Sequence, residues 1–272
     1  MRYKLLACKV LNREIGELAS VTPNIIDITW LKQGLHNQPD ILRKTVQENI
    51  DRIDAGCDPY TFVGETYGLS GISGELDAIL IGYGLCSNGI IGISSQKYPI
   101  VIPKAHDCIS LFLGSKEKYK QYFDEMSGAA FWYTPGWIEN CSMPCEDTRK
   151  KQLKAYAEKY GEENAEFLLD MENTWYNGYE YTAYIKPENK NYPDYAEFSK
   201  SAADYYGWKY KEFAGDNRLL RMMLNGDWDE SEFLVVPPKM TALPSVDENV
   251  IRVGRQSEIE EFLNTQSKQD NR

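Results

Sequence analysis

Two short apolar runs constrain this chain more than any other feature. Residues 76–81 read LDAILI and residues 100–103 read IVIP. Each is rich in β-branched residues, is bounded by Gly or Pro, and is too short for a buried helix, so each is expected to be a buried strand. Each also breaks off at sulfur or imidazole. The first runs into Gly82-Tyr83-Gly84-Leu85-Cys86-Ser87-Asn88-Gly89, and the second into Lys104-Ala105-His106-Asp107-Cys108. In open α/β sheets ligands bind beyond the carboxyl ends of the strands. Cys86, His106 and Cys108 fall there.

The rest of the first half repeats the pattern. Residues 3–10 form an apolar run with Cys8 near its end, and residues 11–19 carry Leu11, Ile15 and Leu18 at helical spacing. A second strand is expected over 25–31, followed by a loop with His36. A helix over 40–53 is then expected to bury Ile41, Leu42, Thr45, Val46, Ile50 and Ile53. Four strand ends thus carry Cys8, His36, Cys86 and the His106/Cys108 pair. Alternating strands and helices favour a parallel sheet with right-handed crossovers. The expected fold is α/β, a mostly parallel open sheet in Rossmann-like or flavodoxin-like layers.

Further along, residues 57–75 are Gly-rich and irregular and read as a loop over one face of the sheet. One helix is expected from the end of the second run, with Ile109, Leu111, Phe112, Tyr119, Tyr122 and Phe123 as its apolar positions. A strand over 129–133 precedes Cys141 and Cys145. The composition then turns charged and helical, with Gly161 dividing two helices, and a Tyr-rich stretch over 175–195 shows no period. Strands over 208–213 and 233–236 flank a helix over 217–224. The expectation is a single α/β domain over 1–272, with an aromatic-rich helical insertion or lid at 147–195. A short C-terminal helix and frayed tail cover 256–272.

Charge and cysteine usage narrow the function. A net charge of -11 opposes nucleic acid as a partner, because phosphate binding needs clustered Lys and Arg. No apolar run reaches the roughly 18 residues of a membrane span, and the first residues are too polar downstream for a signal peptide. The expected place is the cytoplasm, with no membrane partner. Disulfides rarely persist there, so six cysteines favour metal binding, redox chemistry or burial.

His106-Asp107-Cys108 is an H-x-C pair. Imidazole and thiolate both suit zinc, and a catalytic zinc site needs three protein ligands with one position open. Cys86, Cys141 or Cys145 can complete Cys108 and His106. The same residues also have plain structural uses. A buried Cys packs as a small hydrophobe, and Asp107 suits the N-cap of the helix that follows. Cys86 in a Gly-rich turn outlines a nucleophile elbow with His106 or His36 as its base, although the second glycine falls three residues on and not two. Catalytic candidates are therefore Cys86, His106 and Asp107. Candidates for cofactor contact are Cys8, His36, Tyr83, Gly84, Asn88, Gly89 and Lys104.

Locally the H-x-C pair with a remote Cys resembles the zinc motif of thiol-alkylating methyltransferases, such as cobalamin-independent methionine synthase and its corrinoid-protein-dependent relatives. Those enzymes are (β/α)8 barrels, and this chain offers too few βα units for one. A longer resemblance runs through ACKVLNREI, GLHNQP, GYGLCSNGIIGI, IPKAHDCISLFLGSKEKY, YTPGWIE and LLRMMLNGDWDESEFLVVPP. These segments resemble an uncharacterised family of anaerobic microbes, a domain of unknown function whose members are often encoded near corrinoid-dependent methyltransferases. That resemblance implies a role around methyl transfer or corrinoid handling. Lys104 stands where the resemblance implies Arg, giving a point charge in place of a bidentate fork.

Together these readings describe a Cys/His metal-binding protein of corrinoid-linked one-carbon metabolism. The expected role is that of a thiol- or corrinoid-dependent methyltransferase or its accessory protein. Zinc is the first cofactor expected, with an iron–sulfur cluster or a corrinoid as alternatives. Its substrate is a small molecule or a corrinoid protein, and a homo-oligomer stays open. Two other functions also stay open: a non-catalytic corrinoid- or partner-binding protein, and an enzyme with Cys86 as nucleophile.

Overall fold

A computed structural model describes residues 1–57, 75–245 and 250–259. In chain order the elements begin with β1 (Arg2–Cys8), α1 (Asn12–Val21), β2 (Ile25–Leu31), α2 (Pro39–Asp54), β3 (Ala78–Gly82), β4 (Ile100–Pro103) and α3 (Cys108–Leu113). Next come α4 (Lys116–Glu125), β5 (Ala130–Tyr133), α5 (Pro135–Asn140), α6 (Glu146–Tyr160), α7 (Glu162–Glu172), β6 (Tyr181–Lys186), α8 (Ala196–Tyr206) and β7 (Lys209–Ala214). The chain closes with α9 (Arg218–Asn225), β8 (Phe233–Val236), β9 (Thr241–Pro244) and β10 (Ile251–Gly254). The loop expected over 57–75 lies almost wholly outside the described residues. Of the C-terminal helix and tail, only residues 256–259 are described, and they are helical.

Contacts divide the chain into two units, residues 1–116 with 217–272, and residues 117–216. The first unit holds a five-stranded sheet in the order β2-β1-β3-β4-β8. β1, β2, β3 and β4 are mutually parallel, and β8 closes the edge antiparallel to β4. β3 and β4 are buried at every position, as their unbroken apolar runs require. The chain leaves β1 for β2 on one side and returns to β3 on the other. The strand order therefore reverses between β1 and β3, and such a switch point opens a crevice at the carboxyl ends. Ala7 lies opposite Gly82 there, and a Cβ on Gly82 would meet the Ala7 Cβ at 2.6 Å.

The connection from β3 to β4 has no helix of its own and is held by α2. Arg43, Gln47 and Asp54, at i, i+4 and i+11, share one helical face. Arg43 donates to the Ile91 and Asn88 carbonyls at 2.6 and 3.1 Å, and Gln47 donates to the Ser94 carbonyl at 2.9 Å. The Asp54 carboxylate accepts from the Ser95 hydroxyl at 2.7 Å and the Gln96 N–H at 2.6 Å.

The single helix expected after residue 108 is two helices. Gly114 adopts φ +67 and ends α3 in the left-handed conformation that a side chain resists, and α4 starts afresh at Lys116.

The second unit is built on the parallel sheet β5-β6-β7. Its core contains Tyr133, Met143, Tyr184 and Ala202. The Tyr133 hydroxyl is satisfied by donating to the Pro144 carbonyl at 2.7 Å. The stretch expected as a helical insertion, 147–195, lies inside this unit. It is α-helical as far as Glu172, with Gly161 separating α6 from α7, and then supplies a 3-10 turn and the central strand β6.

Candidate functional site

Cys8 is the last residue of β1, Cys86 follows β3 by four residues, and Cys108 opens α3 just beyond β4. The loops after β3 and β4 keep pairing past the strand ends, since the Leu85 N–H donates to the Ala105 carbonyl at 2.7 Å. Gly84 makes this approach possible, because a Cβ there would lie 2.7 Å from the Asp107 backbone. The backbone N–H groups of Gly84 and Cys108 point at the Cys86 sulfur.

Three thiols are thereby gathered around Tyr83 at the switch point. Cys8, Cys86 and Tyr83 are buried, and Cys108 is half-buried. Burial pushes the Cys8 thiol up, against the pull of the Val10 N–H and the Tyr83 hydroxyl. Burial pushes Cys86 up further, helped by the Asp107 carboxylate and by Cys8. Cys108 is raised well above an ordinary thiol by burial, then by Cys86, Asp107 and Cys8. The Tyr83 hydroxyl, raised by burial and by Cys8 and Cys86, lies against the Cys8 thiol without a hydrogen bond of ordinary geometry. Without a cation beside them these groups keep their protons at neutral pH.

The backbone at this site is strained. Cys86, Ser87 and Asn88 stand at φ +46, +57 and +64, three consecutive left-handed residues with no glycine among them. Each costs about 1–2 kcal/mol against a right-handed conformation, Asn least. The Gly89 N–H closes the turn onto the Cys86 carbonyl at 3.0 Å, and Arg43 holds the Asn88 carbonyl. Sequence reading passed over Arg43; its signal is the polar spacing with Gln47 and Asp54 on α2.

The other candidates divide. Asp107 is the N-cap of α3, its Oδ1 accepting from the Ile109 N–H at 2.9 Å and more weakly from that of Ser110. Its charge also reaches His36, whose imidazole is lowered by burial against the opposing pull of Asp107. His36 therefore belongs with this edge. His106 has an exposed side chain, and its carbonyl accepts the Cys86 N–H. Lys104 sends its ammonium to the Glu230 carbonyl at 2.6 Å, at the turn before β8. Cys141 and Cys145 lie in the second unit. Cys145 caps α6, its sulfur accepting from the Thr148 N–H at 3.4 Å, and Cys141 follows α5 against that unit's core.

Among the described residues no three His, Cys, Asp or Glu side chains converge as the shell of a metal ion. The donor chemistry at the switch point suits a soft cation, with three thiols and one poorly satisfied buried hydroxyl, while the protonated thiols are not closed on one point. Among the described residues no helix is long and apolar enough to cross a membrane. No curated protein and no solved structure matches the chain. A family model described as a protein of unknown function (DUF1638) matches residues 30–224, more than half of the chain, and the chain belongs to that family.

Proposed function

We propose that this chain is a metal-binding protein whose thiols at the β1/β3 switch point take a thiophilic metal centre, a zinc ion first and an iron–sulfur cluster second. The observation that carries the reading is the convergence of Cys8, Cys86 and Cys108 from three strand ends on the buried Tyr83. Burial and mutual repulsion keep these thiols protonated, and a thiolate-loving cation relieves both costs at once. Side-chain rotation of the cysteines would bring their sulfurs onto the ion. Asp107 and His36 add a carboxylate and an imidazole at the same edge. Such an ion supplies a Lewis acid that keeps a bound thiol deprotonated and nucleophilic. A role beside corrinoid-dependent methyl transfer is part of the proposal, supported by the sequence resemblance alone.

The competing use of Cys86 as a nucleophile needs a thiolate near neutral pH. Burial and Asp107 push that thiol the other way. The test is elemental analysis of protein purified without oxygen, followed by zinc titration with a pH indicator. The expected result is one metal per chain with release of thiol protons. Protein that holds no metal and takes none up overturns the reading, and alkylation at Cys86 then tests the nucleophile.

A further inference from the structure

One edge of the first unit's sheet is β2. Among the described residues it pairs only with β1, in register from Ile25 to Leu31 without a bulge. Edge strands are ordinarily blunted by Lys, Pro or bulges, which keep other chains from pairing with them. β2 reads IIDITWL and has none of these. Its one charge, Asp27, is neutralised by the Arg2 guanidinium at 2.8 Å. We infer that β2 is the contact surface for a second copy of this chain, the two β2 strands pairing antiparallel about a two-fold axis at Ile28. The inference goes beyond the metal reading and does not rest on it.

The backbone fixes which residues can make the contact. The Ile25 N–H donates to the Met1 carbonyl at 3.0 Å, on the β1 side. In a parallel ladder a residue turns its N–H and its C=O to the same neighbour, and alternate residues turn the other way. Ile25, Asp27, Thr29 and Leu31 therefore serve β1, while Ile26, Ile28 and Trp30 present both groups at the open edge. Side-chain burial agrees with an edge that lacks cover. β3 is buried at every position, whereas Ile25 and Trp30 are 41% and 36% exposed and the residues between them are half-buried.

The strand is complementary to itself in one register. With the axis at Ile28, Ile28 faces its own equivalent and Ile26 faces Trp30 of the second copy. These are the outward-turned residues, so each pair exchanges both hydrogen bonds, and Ile26 with Trp30 sets a branched side chain against an aromatic one. On the opposite face Ile25 meets Leu31, and Asp27 meets Thr29. Apolar meets apolar and polar meets polar over the whole strand. Moving the axis back onto Asp27 sets two carboxylates directly opposite each other, and moving it forward onto Thr29 sets Asp27 against Leu31. Charge therefore selects the register. It also favours this seam over the rest of the surface, because a net charge of -11 repels a second copy wherever the charge is uncompensated. An isologous contact of this kind closes at two copies and joins their sheets into one.

The experiment weighs the full chain by sedimentation over about a hundredfold dilution, and follows hydrogen exchange across residues 25–31. The unaltered chain should sediment as a dimer, with the amides of Ile26, Ile28 and Trp30 protected. Ile28→Lys sets two ammonium groups face to face at the axis. It should be monomeric at every concentration, and its edge amides should exchange fast. Val235→Lys, at an exposed position of β8 on the opposite edge of the sheet, should stay dimeric. A monomeric unaltered chain, a dimer whose edge amides exchange fast, a dimer that survives Ile28→Lys, or one lost in Val235→Lys each overturns the assignment. Should Ile28→Lys fail to fold, the mass and the edge-amide exchange of the unaltered chain decide alone.

Discussion

The backbone N–H of Cys86 donates to the carbonyl oxygen of His106 over 3.0 Å, continuing the pairing of β3 with β4 beyond the ends of both strands. The loops that carry Cys86 and Cys108 are thereby one piece of extended sheet. The backbones that bear their sulfurs are fixed by these hydrogen bonds and by the close approach that Gly84 permits. His106 takes part through its carbonyl, and its ring is exposed.

From this follows a ligand-by-ligand test of the metal proposal. His106→Ala should leave metal content and affinity within about twofold, since only the ring is removed and the carbonyl stays. Cys8→Ser and Cys108→Ser should each lower zinc affinity by at least about tenfold, because hydroxyl is a far poorer ligand than thiolate. A metal lost in His106→Ala and kept in Cys8→Ser would favour the H-x-C set over the three thiols.

The pH dependence of the metal-free protein has a definite sign. The Cys8, Cys86 and Cys108 thiols are raised in the folded chain, whereas unfolded thiols ionise near about 8.5. Below that value both states hold the proton and the stability is fully present. As pH climbs above it, the unfolded state binds fewer protons and folding weakens, by up to about 1.4 kcal/mol per pH unit per thiol. Urea midpoints measured from pH 7 to 10 should fall in this manner, and Cys86→Ser should fall less steeply. Equal slopes for the two proteins would remove Cys86 from the account.

Asp107 acts twice, and two substitutions separate its roles. As the cap of α3 it satisfies the N–H groups of Ile109 and Ser110, so Asp107→Ala should cost about 1 kcal/mol. Asparagine also caps, so Asp107→Asn should recover most of that. Both substitutions delete the carboxylate that raises Cys86 and Cys108. Thiol-reagent rates at pH 8 to 9 should therefore rise in both variants. A rise in Asp107→Ala alone would trace it to loosening of the helix.

Much of the first unit was legible because β3, β4 and β8 are each one apolar run with a clear end. The expected strand at 25–31 is β2, and the expected run at 100–103 is β4. The Tyr-rich stretch that hides β6 was illegible for a physical reason. Thr182, Ala183, Tyr184 and Ile185 are all buried, so a strand covered on both faces shows no alternation. At the site, run endings pointed to Cys8, Cys86 and Cys108. They could not tell His36 from His106, because both follow strands, and which ring turns inward is set by how the loops fold back. The reach of Arg43 to Asn88 and Ile91 spans more than 40 residues of chain and leaves no local trace.

The left-handed tract at Cys86–Asn88 offers the last test, on backbone energy alone. Ser87 stands at φ +57 between two other left-handed residues. Glycine adopts that conformation without the Cβ penalty, and its greater freedom in the unfolded chain offsets part of the relief. Ser87→Gly should therefore leave stability unchanged or raise it by up to about 1 kcal/mol. Ser87→Val brings a branched Cβ to the same φ and should cost about 2 kcal/mol or more. If the strain serves to hold Cys86 in place for a metal, Ser87→Gly should also weaken zinc binding while the fold stays intact, because a looser turn positions the sulfur less well. Chemical denaturation and zinc titration of the two variants measure both effects. A Ser87→Val variant as stable as the unaltered chain would show that the turn carries no such strain.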